Sequence, residues 1–221
     1  MIVFGTRPEA IKMAPLIKAI DKDERFQSIT VVTAQHREML DQVLDIFKIK
    51  PDYDLDIMGK NQTLSQITIK VLTEMEKVVA EEKPDIMLVH GDTSTTFAAS
   101  IAAFYHHIQL GHVEAGLRTW NKYSPFPEEM NRQLTDVLSD IYFAPTEESK
   151  VNLLQENHAP EDIYITGNTA IDALRYTVPS KVKKDRRQIL ITMHRRENLG
   201  EPMENVFKAV KDIALKYSEL S

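Results

Sequence analysis

Met1-Ile2-Val3-Phe4-Gly5-Thr6-Arg7-Pro8-Glu9-Ala10-Ile11-Lys12 passes from an apolar, β-rich run through a tight turn into a helical pattern. Thr6 and Glu9 have the spacing of a capping box, and Pro8 falls in the first helical turn, where its missing N–H costs nothing. A strand feeding straight into a helix is the repeating unit of a parallel sheet, because the chain must cross back over the sheet before the next strand can lie alongside.

Outward from this stretch the alternation recurs. Strands are predicted at Met1–Phe4, Ser28–Thr33, Asp85–His90, Ile108–Val113, Asp140–Ala144, Asp162–Thr166 and Gln188–Met193. Helices are predicted at Pro8–Ile20, Arg37–Phe47, Leu64–Glu82, Ser94–His107, Glu128–Leu138, Glu147–Asn157, Ala170–Tyr176 and Met203–Tyr217, with a second capping box at Thr63-Leu64-Ser65-Gln66. The expected fold is α/β, with a Rossmann-like parallel sheet over residues 1–177. Residues 178–187 carry Pro-Ser-Lys-Val-Lys-Lys-Asp-Arg-Arg after Val178, with no apolar period, and read as a solvated linker. A second Rossmann-like domain is expected to start at 188 and to be incomplete at 221, after one strand and one helix.

Composition narrows the function. Hydrophobic residues make up 43% of the 221, enough for a sizeable core. Lys and Arg total 27 against 33 Asp and Glu, a formal charge of −6 that disfavours a nucleic-acid partner. With no cysteine there is no disulfide or thiolate metal site, and the histidines show no metal-binding spacing. No apolar run approaches the ~20 residues of a membrane span, and no signal peptide precedes Gly5, so a cytoplasmic protein without membrane attachment is expected.

Ligands of open parallel sheets bind beyond the carboxyl ends of the strands, and the residues there are polar. Arg7 and Lys12 follow the first strand beside helix amides that favour an anion; they read equally as a surface Arg and a snorkelling Lys. Asp92, in His90-Gly91-Asp92-Thr93, is an acid–base candidate or simply a helix N-cap. Glu114 ends the next strand, where an ion pair is the plainer reading. Glu128 and Glu129 open a helix after the two-proline loop Pro125-Phe126-Pro127, where both complement its dipole or Glu128 joins the site. His194, after the predicted seventh strand, faces the same choice between a ligand and an exposed basic corner. Clustered carboxylates raise one another's pKa, so that one stays protonated while another acts as base, and nearby cations neutralise a phosphate. The combination favours an enzyme over a passive binder.

The chain resembles the non-hydrolysing UDP-N-acetylglucosamine 2-epimerases. The matching blocks are Phe4-Gly5-Thr6-Arg7-Pro8-Glu9-Ala10-Ile11-Lys12-Met13-Ala14-Pro15, Thr33-Ala34-Gln35-His36-Arg37-Glu38-Met39-Leu40, Val89-His90-Gly91-Asp92-Thr93, Gly111-His112-Val113-Glu114-Ala115-Gly116-Leu117-Arg118, Pro127-Glu128-Glu129-Met130-Asn131-Arg132, Thr166-Gly167-Asn168-Thr169 and His194-Arg195-Arg196-Glu197-Asn198. The resemblance implies two Rossmann-like domains of glycosyltransferase-B type and interconversion of UDP-N-acetylglucosamine with UDP-N-acetylmannosamine, by eliminating and re-adding UDP without NAD, metal or other cofactor. It implies a homodimer working in cell-envelope polysaccharide biosynthesis. By motif, Asp92, Glu114, Glu128 and His194 are the catalytic residues, and Arg7, Lys12, Asp92, Glu114 and His194 contact substrate. A second, activating UDP-sugar would meet Gln35, Glu38, Arg195 and Glu197.

The pattern departs from the family at several places. Glu38 stands where Gln is common, Asn61 where Arg is expected, Met193 where a small residue is usual, and Asp136 where Gly is usual. Further uridine and ribose contacts are expected downstream of Ser221. The competing readings are a hydrolysing epimerase that releases N-acetylmannosamine and UDP, a glycosyltransferase of the same fold, and a non-catalytic nucleotide-sugar sensor, which would need none of the three carboxylates.

Overall fold

The structure, a computed structural model, describes residues 1–34, 37–59, 61–178, 189, 191 and 200–217. They fall into two compact units, Met1–Val178 and Pro179–Ser221.

The first unit is built on a seven-stranded parallel sheet. Its strands are β1 (Ile2–Phe4), β2 (Thr30–Val32), β3 (Tyr53–Asp54), β4 (Ile86–His90), β5 (Gln109–Val113), β6 (Ile141–Ala144) and β7 (Ile163–Ile165), in the spatial order β3-β2-β1-β4-β5-β6-β7. The chain runs outward one way from β1 and then the other way from β4. The loops after these two strands therefore diverge and leave a crevice between them. Register places Val3 beside Val31, Val89 beside His112, and His112 beside Tyr142.

Both faces are covered, as alternation along the strands requires. Ile2, Phe4, Val32 and Leu88 point into one core with Met13, Ala14 and Ile17 of α1 (Arg7–Ile20) and Leu40, Val43 and Leu44 of α2 (Arg37–Phe47). Val3, Val31, Met87 and Val89 point the other way, onto Val71, Met75 and Val78 of α3 (Leu64–Glu82) and Ala98, Ala99 and Ala102 of α4 (Ser94–Tyr105). The small side chains of α4 let it lie close on the sheet beneath the crevice. A further cluster joins Ala115, Tyr142, Ala144 and Ile163 to Leu153 of α6 (Glu147–Gln155); α5 (Glu128–Leu138) and α7 (Thr169–Thr177) complete the unit.

Several boundaries differ from the sequence reading for identifiable reasons. The edge strand β3 was not expected, since two residues, Tyr53 and Asp54, are too short to show a period. Helices α4 and α6 stop short of the predicted His107 and Asn157, which take left-handed φ values of 56° and 66° and so end the helical path. The capping box at Thr63 is complete: its Oγ1 accepts from the Gln66 N–H at 3.2 Å, and Gln66 Oε1 accepts from the Thr63 N–H at 2.9 Å. The second unit contributes helix α8 (Glu201–Lys216), two residues earlier than predicted at its start. The predicted linker beyond Val178, and all but Ile189 and Ile191 of the predicted strand Gln188–Met193, lie outside the described residues. Among the described residues no helix is long and apolar enough to cross a membrane.

Candidate active site

The turn after β1 is fixed by a carboxylate. Glu9, 3% exposed, accepts through Oε2 from the N–H groups of Gly5 (2.9 Å) and Thr6 (2.7 Å), and through Oε1 from the hydroxyls of Thr93 (2.7 Å) and Thr96 (3.1 Å). One side chain thus ties the turn after β1 to the start of α4, across the crevice. Gly5 is required here, because a Cβ would lie 2.2 Å from Thr33 Oγ1. Arg7 is exposed at the start of α1 and has no ion pair among the described residues. Lys12 is bound to a carboxylate: its Nζ lies 2.5 and 2.7 Å from the two oxygens of Glu114.

Glu114 ends β5 in a strained backbone, with φ at +70°, a region costly to any residue bearing a Cβ. Its second neighbour is His90, at the tip of β4, whose Nε2 lies 3.4 Å from Glu114 Oε2. His90 is buried and neither ring nitrogen has a hydrogen-bond partner among the described residues. Burial, reinforced by the charges of Lys12 and His112, lowers its pKa to about 3, so the ring is neutral.

Asp92 lies one turn beyond His90. It does not cap α4; Thr93 does, with its Oγ1 accepting from the Thr96 N–H at 3.1 Å. The Asp92 carboxylate is left to face Arg132, whose Nη1 is 3.2 Å away. Burial pushes the Asp92 carboxyl above the ordinary range; Arg132 opposes this, while Glu128, Glu114 and Glu9 add to it. The clustering expected of the carboxylates is thus present in the fold.

Asp92, Glu128, Thr6, Thr93 and Asn131 line one cleft of about 260 Å³. Glu128 Oε2 is buried without a hydrogen-bond partner among the described residues. Its neighbour Glu129 has the opposite fate. Fully buried, Glu129 accepts from Arg132 Nε, Gln133 Nε2 and the N–H groups of Thr119 and Trp120. Burial alone would raise its pKa, but these donors, Arg132 foremost, hold it at about 2. Of two adjacent glutamates, one anchors the loop and the other keeps an oxygen without a partner among the described residues.

Sequence reasoning passed over His90, Glu129, Arg132 and the buried trio His112, Arg118 and Asp136 as site elements. Their signal is visible only as polar residues at strand ends and on a helix face. His194, Arg195, Glu197 and Gln35 lie outside the described residues, as does the side chain of Glu38. Among the described residues no group of three or more His, Asp and Glu side chains is placed to hold a metal ion.

Fold and site together define a doubly wound α/β protein with a cleft lined by the carboxyl groups of Asp92 and Glu128 at the switch point of its sheet. The family model described as UDP-N-acetylglucosamine 2-epimerase matches residues 18–220, and the chain belongs to that family. It is 58% identical over 228 residues to the UDP-N-acetylglucosamine 2-epimerase of Bacillus subtilis (strain 168), covering 100% of this chain and 60% of that protein. The crystal structure of a putative UDP-N-acetylglucosamine 2-epimerase from Listeria monocytogenes superposes with a TM-score of 0.93 at 57% identity, over 100% of this chain and 60% of that one. That of the Neisseria meningitidis enzyme bound to UDP-N-acetylglucosamine gives 0.86 at 51%, over 100% and 63%. The chain therefore spans about three fifths of the length of the relatives it matches. A lipopolysaccharide outer core galactosyltransferase, 12% identical with a TM-score of 0.55, shares the fold alone.

Proposed function

We propose that this chain carries the acid–base half of a non-hydrolysing epimerase that interconverts UDP-N-acetylglucosamine and UDP-N-acetylmannosamine. The observation that carries the reading is the pairing, in one cleft, of a carboxyl biased towards its protonated form, Asp92, with a buried carboxylate oxygen that has no partner among the described residues, Glu128 Oε2. Two carboxyl groups whose surroundings differ in this way can divide the roles of acid and base.

In this reading Glu128 removes the proton from sugar carbon 2 while the bond from carbon 1 to the UDP oxygen breaks, leaving a carbon 1–carbon 2 double bond and free UDP. Asp92 then delivers a proton to the opposite face of carbon 2 as UDP adds back to carbon 1, and exchange with water resets both carboxyls. Arg7, without an ion pair among the described residues, and Lys12, which keeps one further N–H donor beyond the two that meet Glu114, balance the charge of the departing diphosphate. His194 belongs to the same reading, and so do an activating UDP-sugar at Gln35, Glu38, Arg195 and Glu197, a homodimer, and a cytoplasmic location.

Turnover in deuterated water tests it. The expected product is intact UDP-sugar carrying deuterium at carbon 2. Unlabelled product at full turnover excludes elimination through exchange, and free N-acetylmannosamine in place of UDP-sugar points to the hydrolysing reaction.

A further inference from the structure

A second charged cluster is centred on the buried side chains of His112, Arg118 and Asp136. Asp136, in the last turn of α5, is fully buried. Its Oδ1 is 2.5 Å from His112 Nδ1, and its Oδ2 is 2.6 Å from Arg118 Nη2 and 3.2 Å from the Gly116 N–H. The other ring nitrogen of His112, Nε2, is 2.7 Å from the carbonyl oxygen of Gly91. Arg118 also pairs with Glu156, at 2.7 Å from Nε to Oε1.

We infer that Asp136 is a positioning residue for the acid–base cleft: through a doubly protonated His112 it holds the Gly91–Asp92 turn, and through Gly116 and Arg118 it holds the turn that carries Glu114. Its effect on turnover rests on the reaction proposed above; its effect on the His112 ring does not.

The donor and acceptor inventory carries the argument. A carbonyl oxygen only accepts, so Nε2 of His112 must donate to Gly91. An ionised carboxylate also only accepts, so Nδ1 must donate to Asp136. Burial pushes the Asp136 carboxyl up, yet His112 and Arg118 outweigh this and hold it below the ordinary carboxylate range. A ring that donates from both nitrogens is an imidazolium. The cluster then has two cations, His112 and Arg118, against two anions, Asp136 and Glu156, and is neutral in a buried setting where an unpaired charge would be costly.

The turn that carries Glu114 is one that needs holding, because Glu114 has φ at +70°, a region costly to a residue bearing a Cβ. A strained backbone persists only where its surroundings over-determine it. Asp136 is where the restraints on both turns meet: one oxygen reaches the Gly91 turn after β4 through His112, and the other holds the turn after β5 through Gly116 and Arg118. If the charge is removed in Asp136→Asn, nothing stabilises a second ring proton, and the amide has only one oxygen to accept with. Its NH2 must face either His112 Nδ1 or the Gly116 N–H and Arg118 donors, so the charged restraint on the two turns is weakened and the turn bearing Asp92 moves.

The test is ring nitrogen-15 spectroscopy of His112 in the labelled protein at about pH 7, with Asp136→Asn alongside. Wild-type protein is expected to show both ring nitrogens protonated. An unprotonated nitrogen in the wild-type ring overturns the inference, with no variant required. In Asp136→Asn one nitrogen is expected to lose its proton, the Asp92 carboxyl carbon-13 resonance to shift, and kcat to fall about tenfold or more with KM changed less than about threefold. An Asp92 resonance unmoved in folded Asp136→Asn removes the positioning role. If the wild-type protein fails to epimerise the UDP-sugar, the ring and carboxyl spectra still decide the role of Asp136, so the two readings fail separately.

Discussion

Lys12 Nζ lies 2.5 Å from one oxygen of Glu114 and 2.7 Å from the other, a bidentate contact between residues 102 positions apart. It joins the first turn of the crevice to the third, and the pair is mostly shielded, with side-chain exposures of 23% and 15%. Such a pair acts as a unit. Lys12→Met and Glu114→Gln are each expected to lower kcat about a hundredfold, and the double variant to be little worse than either alone. Additive losses in a double-mutant cycle would show that the two act independently.

Asp92 and Glu128 are expected to matter to turnover far more than to folding. Asp92→Asn and Glu128→Gln should each reduce kcat about a hundredfold or more, with a much smaller effect on substrate binding. Asp92→Asn should in addition stabilise the protein at neutral pH. The folded-state pKa of Asp92 is raised, so its contribution to stability is full below the ordinary carboxyl range and is lost as pH rises through the raised value. At neutral pH the ionised group is a burden that the amide lacks. Thermal melts across pH check this, and a variant less stable than wild type at neutral pH would contradict it.

Glu129 should show the reverse. Its pKa of about 2 lies below the ordinary 4.5, so the stability it contributes is present above about 4.5 and is lost as pH falls through about 2. Glu129→Gln leaves Arg132 with one carboxylate, Asp92, and replaces one of the two accepting oxygens with an NH2 that must face either Arg132 or the Thr119 and Trp120 N–H groups. A loss of about 3 kcal/mol at neutral pH is expected, with a flatter acid limb in urea-derived stability. A loss below about 1 kcal/mol would show that the loop has another anchor.

Gly116→Ala is expected to destabilise by about 2–4 kcal/mol. A Cβ there would lie 2.2 Å from the carbonyl oxygen of Ser149, a backbone atom of α6 that cannot turn aside, and the φ of +81° is strained for any side chain. Chemical denaturation of the variant checks it. Unchanged stability would mean that the turn after β5 adjusts freely, which would also weaken the case for Glu114 being held in place.

The sequence by itself determined the α/β alternation, because strand and helix periods and the capping residues at Thr6 and Thr63 depend on neighbours within a few positions. It also placed Arg7, Lys12, Asp92, Glu114 and Glu128 at strand ends and helix starts, since a parallel sheet puts the ends of all its strands on one edge. The two-residue strand β3 escaped because it has no period of its own; it exists only by pairing with β2.

What each polar side chain does was decided by the tertiary structure. That Lys12 meets Glu114, whether Asp92 caps a helix or faces Arg132, and which of Glu128 and Glu129 is consumed by the loop all depend on contacts between distant segments. Asp136 is the clearest case: in the chain it is a residue where the family usually has glycine, and only in the fold does it meet His112 and Arg118. Charge and hydrogen bonding act through space at a few ångströms, and the sequence specifies the partners without showing them.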